Sequence, residues 1–156
     1  MPAQLSTAAP ERRVFGARMR NLPETAAFVD DFCARHGIGR DDALRLALIV
    51  EELFANTVAH GYRKEGDAPI VVALSAEGGA VTVVYEDAAP RFDPSAQPPA
   101  DINAPVESRP IGGLGIHLVR QIARSIRYTR EDGHNRVWLC VPCASLAHGK
   151  RAIAQP

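Results

Sequence analysis

The hydrophobic pattern is clearest between residues 41 and 60. Ala43, Ala47, Val50, Phe54 and Val58 recur at helical spacing and predict one buried stripe. Glu52, Asn56 and His60 follow one another at steps of four, so their side chains stack along another side of the same helix. Leu48, Ile49 and Leu53 flank that row, which places a carboxylate and an amide in half-buried surroundings. Polar groups so placed need partners or cost a few kcal/mol each. Upstream, residues 13–20 alternate, with Phe15, Ala17 and Met19 on one face, and predict a strand. Asn21-Leu-Pro-Glu opens a helix that tolerates Pro23 in its first turn, carries Ala27, Phe28 and Phe32, and stops at Gly37. The helix of residues 41–60 has Gly61 as its end signal.

Downstream, residues 70–76 and 81–86 read as strands joined by a hairpin through Glu77-Gly-Gly-Ala. Between Ala88 and Pro110 there are six prolines and no apolar period, which predicts a functional or mobile loop. Residues 115–126 are helical again, with Val119, Ile122, Ala123 and Ile126 on the buried face. Residues 127–131 and 136–141 flank Asp132-Gly-His-Asn as a second hairpin, and no pattern is visible after Cys143. Hairpin-joined strands with helices between them predict an α+β two-layer sandwich: a mixed, mostly antiparallel sheet with helices on one face. The expected organisation is a loose tail over residues 1–10, one domain over residues 11–143 and a second tail over residues 144–156.

Composition narrows the function classes. The chain has 156 residues, 46% hydrophobic and 23% charged, enough for one ordinary core. Eighteen basic and eighteen acidic side chains cancel, which removes the main driving force for nonspecific nucleic-acid or membrane-surface binding. No apolar run reaches membrane-spanning length, and the first ten residues lack the pattern of a secretory signal. Three cysteines argue against a disulfide framework, and together these features predict a cytoplasmic protein. Cys140-Val-Pro-Cys143 has C-x-x-C spacing but ends a strand instead of opening a helix, so two incidental thiols are expected.

Three elements bear chemistry in a fixed order. The Glu52/Asn56 helix is followed by Val83-Val-Tyr-Glu-Asp87-Ala-Ala-Pro-Arg-Phe-Asp93-Pro94, a strand ending in an acidic turn. Last comes Arg109-Pro-Ile-Gly112-Gly113-Leu-Gly115-Ile-His117, a loop running into a helix. Glycines before a helix let backbone N–H groups approach a phosphate, and the helix N-terminus adds positive dipole. A strand-end aspartate can accept from the exocyclic amine of adenine. Asn56 offers the hard oxygen that Mg²⁺ prefers, and Glu52 stands one turn away to orient or deprotonate a nucleophile. Each signal alone is weak; their joint order is specific.

Over residues 13–141 the sequence resembles the GHKL superfamily, the Bergerat-type ATP-binding fold of gyrase, heat-shock chaperone, histidine kinase and mismatch-repair ATPases. More narrowly it is similar to bacterial serine-protein kinase anti-sigma factors of partner-switching systems. Glu-x-x-x-Asn-x-x-x-His-Gly-Tyr matches that family's asparagine box, the acidic turn its Asp-x-Gly-x-x-Phe-Asp-Pro box, and Gly-Gly-Leu-Gly-Ile-His its second glycine box. The resemblance implies ATP and Mg²⁺ as cofactors, Asn56 as metal ligand, Glu52 as general base and Asp87 as adenine reader. It further implies nucleotide contacts from Ala89, Phe92, Gly112, Gly113, Leu114, Gly115 and Ile116, and a lid over residues 88–111. Ala89 departs from the family's glycine, and a methyl there predicts weakened or reshaped nucleotide binding.

The implied function is a protein serine/threonine kinase that phosphorylates a small anti-sigma-factor antagonist and sequesters a sigma factor. Family members often form homodimers. The alternative is a non-catalytic binding module of the same fold, with nucleotide weak, structural or absent. A histidine-kinase ATPase module is a third reading; the chain leaves no segment for a phosphoacceptor hairpin. His60 reads as a packing residue, Arg109 as a solvated loop residue and Trp138 as an ordinary strand residue.

Overall fold

The computed structural model describes residues 9–96, 103 and 113–148. Strands β1 (Glu11–Gly16), β2 (Pro69–Glu77), β3 (Ala80–Asp87), β4 (Ser125–Glu131) and β5 (His134–Pro142) form one sheet in the order β1-β2-β3-β5-β4. All four pairings are antiparallel, where the sequence allows a mixed sheet. Helices α1 (Leu22–Arg35), α2 (Arg40–Asn56) and α3 (Gly113–Ile122) make the second layer, and α4 (Ala144–His148) is a short addition. The expected two-layer α+β sandwich is the architecture found.

Period-two alternation decides which sheet face is covered. Ile70, Val72, Leu74, Val81, Val83, Val137, Leu139 and Val141 are buried, while Val71, Thr82, Val84 and Trp138 between them stay half-buried on the other face. From the helices come Phe28 and Phe32 of α1, Leu46, Ile49, Val50 and Phe54 of α2, and Ile116 and Val119 of α3. Phe15 joins the layers, its ring 6.1 Å from Phe28 and 6.5 Å from Phe54. Each such side chain contributes about 1.5–3 kcal/mol of burial. On the uncovered face the Arg127 guanidinium sits 4.2 Å over the Trp138 ring.

Both hairpins turn on two residues of positive φ: Gly78 at 60° with Gly79 at 80°, and Asp132 at 50° with Gly133 at 77°. That is the twist a two-residue antiparallel connection requires.

Four expectations shift. The first strand stops at Gly16: the Ala17 N–H still reaches the Ala68 carbonyl, but the Ala17 carbonyl accepts from the Gly66 N–H, the Arg18 N–H turns back to the Gly16 carbonyl, and the chain enters a 3-10 turn at Met19–Asn21. Ala17 is buried but Met19 is exposed. Ala27 likewise faces outward on α1. Helix α3 ends at Ile122, since the Arg124 N–H donates to the Cys140 carbonyl and draws Ile126 into β4. Gly61 does not end the second helix: α2 passes into a π-helical stretch, Thr57–Tyr62, and the left-handed Arg63 (φ 58°) terminates it. Past Cys143, where the sequence shows no pattern, α4 anchors the start of α2. Ser145 Oγ accepts from the Gly39 N–H at 2.9 Å and donates to Asp42 Oδ2 at 3.3 Å.

Cys140 and Cys143 do not face one another. Cys140 projects on the open face, opposite Thr82 and Ser125, whereas Cys143 is buried. Burial pushes the thiols of Cys33 and Cys143 up to about 11, which suits inert core residues and not a redox pair.

Candidate functional site

Helix α2 and the end of β3 meet at Thr57 and Asp87. Thr57 Oγ1 lies 2.9 Å from Asp87 Oδ2, 2.7 Å from the Tyr85 hydroxyl and 3.0 Å from the Leu53 carbonyl. A hydroxyl has one proton, and the carboxylate is the strongest of these acceptors. Thr57 therefore donates to Asp87 and accepts from Tyr85. Tyr85 is wholly buried, and burial drives its pKa well above the usual tyrosine range, so its hydroxyl stays a donor.

Asp87 Oδ1 accepts from the Asn135 amide at 2.9 Å and from its neighbour's backbone, the Ala89 N–H, at 3.0 Å. An ionised carboxylate has about four acceptor positions. Thr57, Asn135 and the Ala89 N–H occupy three of them. No donor among the described residues takes the fourth, in a wall only 7% exposed. A buried acceptor with one position left is suited to a single neutral donor from a ligand.

Asn56, Asp87, Ala89 and Phe92 surround one small cavity of about 20 Å³, closed beneath by Leu53, Thr57 and Tyr85. That is room for a water molecule. The Ala89 methyl faces the π-helical stretch that follows α2: a Cβ added to Gly61 would lie 2.9 Å from it. Beside it opens a larger cleft of about 590 Å³, lined by Asn56, His60, Tyr62, Arg63, Arg91 and Phe92. Asn56 and Phe92 thus border both spaces, and two arginines face the larger.

Glu52 meets Gly115. A Cβ on Gly115 would sit 2.0 Å from Glu52 Oε2, so the carboxylate rests directly on the first turn of α3. Burial, with the neighbouring charge of Glu51, raises the Glu52 pKa above its ordinary 4.5. Ile116 is placed in the core, 4% exposed. Gly112, Arg109 and most of residues 88–111 lie outside the described residues, as do the side-chain surroundings of Gly113 and Leu114. Among the described residues no cluster of three or more His, Cys, Asp or Glu could hold a metal, and no helix is long and apolar enough to cross a membrane.

A family model described as the histidine kinase-like ATPase domain matches residues 15–141. The chain belongs to this family. Within the histidine kinase-like ATPase family, the Bacillus mycoides protein named serine-protein kinase RsbW is 29% identical to this chain over 102 residues, and its Bacillus cereus namesake is 30% identical over 104. Each alignment covers 64% of this chain and 64% of the relative, so the chain spans under two thirds of the length of the curated relatives it matches. Among solved structures, the RsbU and RsbW domains of a Mycobacterium tuberculosis protein superpose with a TM-score of 0.60 at 19% identity, covering 87% of this chain and 33% of that one. That likeness shows the shared fold.

Four side chains at the site carry no role in the sequence reading, Thr57, Tyr85, Asn135 and Arg130, although the last two lie in a segment that resembles the family's closing hairpin. Tyr85 lies two residues before Asp87 and so shares its sheet face, which period two alone predicts. Thr57 directly follows Asn56 at the end of α2, but only its packing against β3 shows that it meets Asp87. Asn135 and Arg130 required the pairing register, Asp87 opposite Asn135 and Arg130 opposite Asn135.

Proposed function

We propose that this domain binds Mg²⁺-ATP and transfers the terminal phosphoryl group to a serine or threonine of a partner protein. The observation that carries the reading is the single open acceptor position on the buried Asp87 carboxylate, within reach of the same cavity that Asn56 borders. The exocyclic amine of adenine is a neutral donor of the right kind, whereas the carbonyl of guanine would meet a carboxylate.

The larger cleft would take the phosphates. Arg63, Arg91 and His60 line it, and the first turn of α3 offers backbone N–H groups and positive dipole. Asn56 fits Mg²⁺: a hard amide oxygen at the border of the cleft, with water and phosphate oxygens completing the shell. When bound, the ion would neutralise phosphate charge. Glu52 would accept the proton of the attacking hydroxyl as the oxygen–phosphorus bond forms and ADP departs. A pKa raised by burial suits that duty, because a stronger base takes the proton more readily near neutral pH. Positioning and charge neutralisation supply the rest.

By resemblance, the phosphorylated partner would be a small anti-sigma-factor antagonist and the sequestered partner a sigma factor, in the cytoplasm. Asn56→Ala tests the nucleotide half: it should abolish metal-dependent ATP binding in calorimetry, and unchanged binding would refute the assignment.

One observation favours a second reading. The cavity beside Asp87 measures about 20 Å³, room for a water and less than a purine fills. A parent protein that binds its partner tightly yet transfers no phosphate to it would establish the non-catalytic module instead.

A further inference from the structure

Asn135 sits on β5 directly opposite Asp87 and is 4% exposed. Its Oδ1 accepts from the Tyr128 hydroxyl at 2.6 Å, from Arg130 at 2.8 Å and from the Phe92 N–H at 3.4 Å. Its Nδ2 faces Asp87 Oδ1 at 2.9 Å and the carbonyls of Ala89 and Pro90, each at 3.0 Å. The orientation of the amide is forced. Arg130 and a backbone N–H can only donate, and the two carbonyls can only accept. Reversing the amide would break every contact except that to the Tyr128 hydroxyl, which can accept as well as donate. Arg130 reinforces the arrangement by donating to the Ala89 carbonyl at 2.9 Å.

One half of this amide is therefore structural, tied to the β4–β5 hairpin. The other half donates two protons, one to the Asp87 carboxylate and one shared between the Ala89 and Pro90 carbonyls. Oδ1 of Asp87 is thereby saturated, so the carboxylate cannot turn and the open acceptor position on Oδ2 is held in one place, with every group that touches the carboxylate donating to it.

We propose that Asn135 sets the base selectivity of the site: it holds Asp87 as a fixed, pure acceptor and clamps the turn that leaves β3 against it. The proposal rests on the reading that Asp87 receives the nucleotide base. It makes Asn135 a positioning residue that acts through Asp87, with no contact to the base of its own.

Asn135→Asp separates the two halves of the amide. Aspartate keeps the acceptor that Tyr128, Arg130 and Phe92 use, and replaces the donor facing Asp87 with a second carboxylate. The new oxygen faces Asp87 Oδ1 and the Ala89 and Pro90 carbonyls, all of them acceptors, so the contacts that hold Asp87 in one orientation and clamp the turn are lost. An Asp87 free to turn loses its fixed aim at an amine.

The experiment is calorimetric titration of the full chain, parent and variants, with Mg²⁺-ATP and with Mg²⁺-GTP. Thermal unfolding is run on the same samples. Asn135→Asp should lower ATP affinity roughly 10- to 100-fold, the equivalent of one charge-assisted hydrogen bond. It should also bring the ATP-to-GTP ratio close to one. Asn135→Ala should weaken ATP to a similar degree and speed amide exchange at Ala89 and Phe92. A purely structural asparagine would lower the unfolding temperature in both variants and leave the nucleotide ratio unchanged; that result overturns the proposal. A parent that loses ATP on Asp87→Asn but binds ATP and GTP in the same ratio after Asn135→Asp overturns it alone. A parent that binds no adenine nucleotide overturns this proposal together with the functional reading beneath it.

Discussion

Ala89 and Gly61 form a pair whose energetics can be worked from one distance. A Cβ on Gly61 would stand 2.9 Å from the Ala89 methyl and 3.7 Å from Thr57 Cγ2. Real methyl carbons do not approach so closely, and Ala89 is 3% exposed with both its N–H and its carbonyl bonded. Gly61→Ala is then an overpacking change of about 1–3 kcal/mol, offset by roughly 0.5–1 kcal/mol of better helix propensity. Ala89→Gly loses one buried methyl, about 0.8 kcal/mol, plus roughly 0.5–1 kcal/mol of backbone entropy. The double variant moves the methyl from one wall to the other and should recover most of the Gly61→Ala cost. A coupling of about 1–2 kcal/mol is expected between the two positions. In a domain of this size that is an unfolding-temperature difference of about 2–8 °C from additivity. The functional arm runs in parallel. Ala89→Gly should leave ATP affinity equal or raise it, because the cavity beside Asp87 grows by a methyl. Strictly additive unfolding temperatures would refute the contact, and a clear loss of ATP affinity in Ala89→Gly would refute the placing of the methyl beside the base.

Asp87→Asn should weaken ATP binding by about 1.5–3 kcal/mol in calorimetry while the fold survives, and equal affinity would remove Asp87 from the base site. Glu52→Gln should bind Mg²⁺-ATP normally yet transfer phosphate about 10²- to 10⁴-fold more slowly to a native partner. In the parent, the acidic limb of the transfer rate should lie above pH 4.5, since Glu52 must lose its proton at a raised pKa to act. The same raised value means the folded state holds that proton more tightly than the unfolded chain, a contribution that favours folding at low pH and is lost as pH rises through the folded pKa. Glu52→Gln should accordingly be at least as heat-stable as the parent at pH 7. Gly115→Ala puts a methyl where Glu52 Oε2 rests, 2.0 Å away; only a flexible side-chain end must move, so transfer should fall with little change in unfolding temperature.

Much of the fold was legible because the patterns were strong and local. Alternation in residues 70–76 and 81–86 and the glycines between them specify a hairpin, and the structure differs there by a residue at each end. The stripe from Val50 to Val58 specifies α2. What misled was continuity of pattern across a change of geometry. Alternation runs on to Met19 after the backbone has turned back at Arg18, and Ile126 fits a helical stripe while pairing in β4. Gly61 reads as a stop, but its missing side chain answers Ala89, twenty-eight positions away, a relation no local window contains. At the site, Glu52, Asn56 and Asp87 stood out by residue type and spacing. Thr57 and Asn135 did not, since their part depends on which strand lies opposite which, and register is written in the whole sheet.

The anchoring of α2 at both ends has an evolutionary consequence. Its start is held by Asp42 with Ser145, and its end by Thr57 with Asp87. A single residue inserted between Asp42 and Thr57 would rotate everything beyond it by about 100° and advance it about 1.5 Å. Either Asn56 would turn away from the clefts and Glu52 from Gly115, or one anchor would let go. Descendants of this gene can drift in sequence along α2, but its length is frozen, and any tolerated insertions should gather at open turns such as Gly78–Gly79.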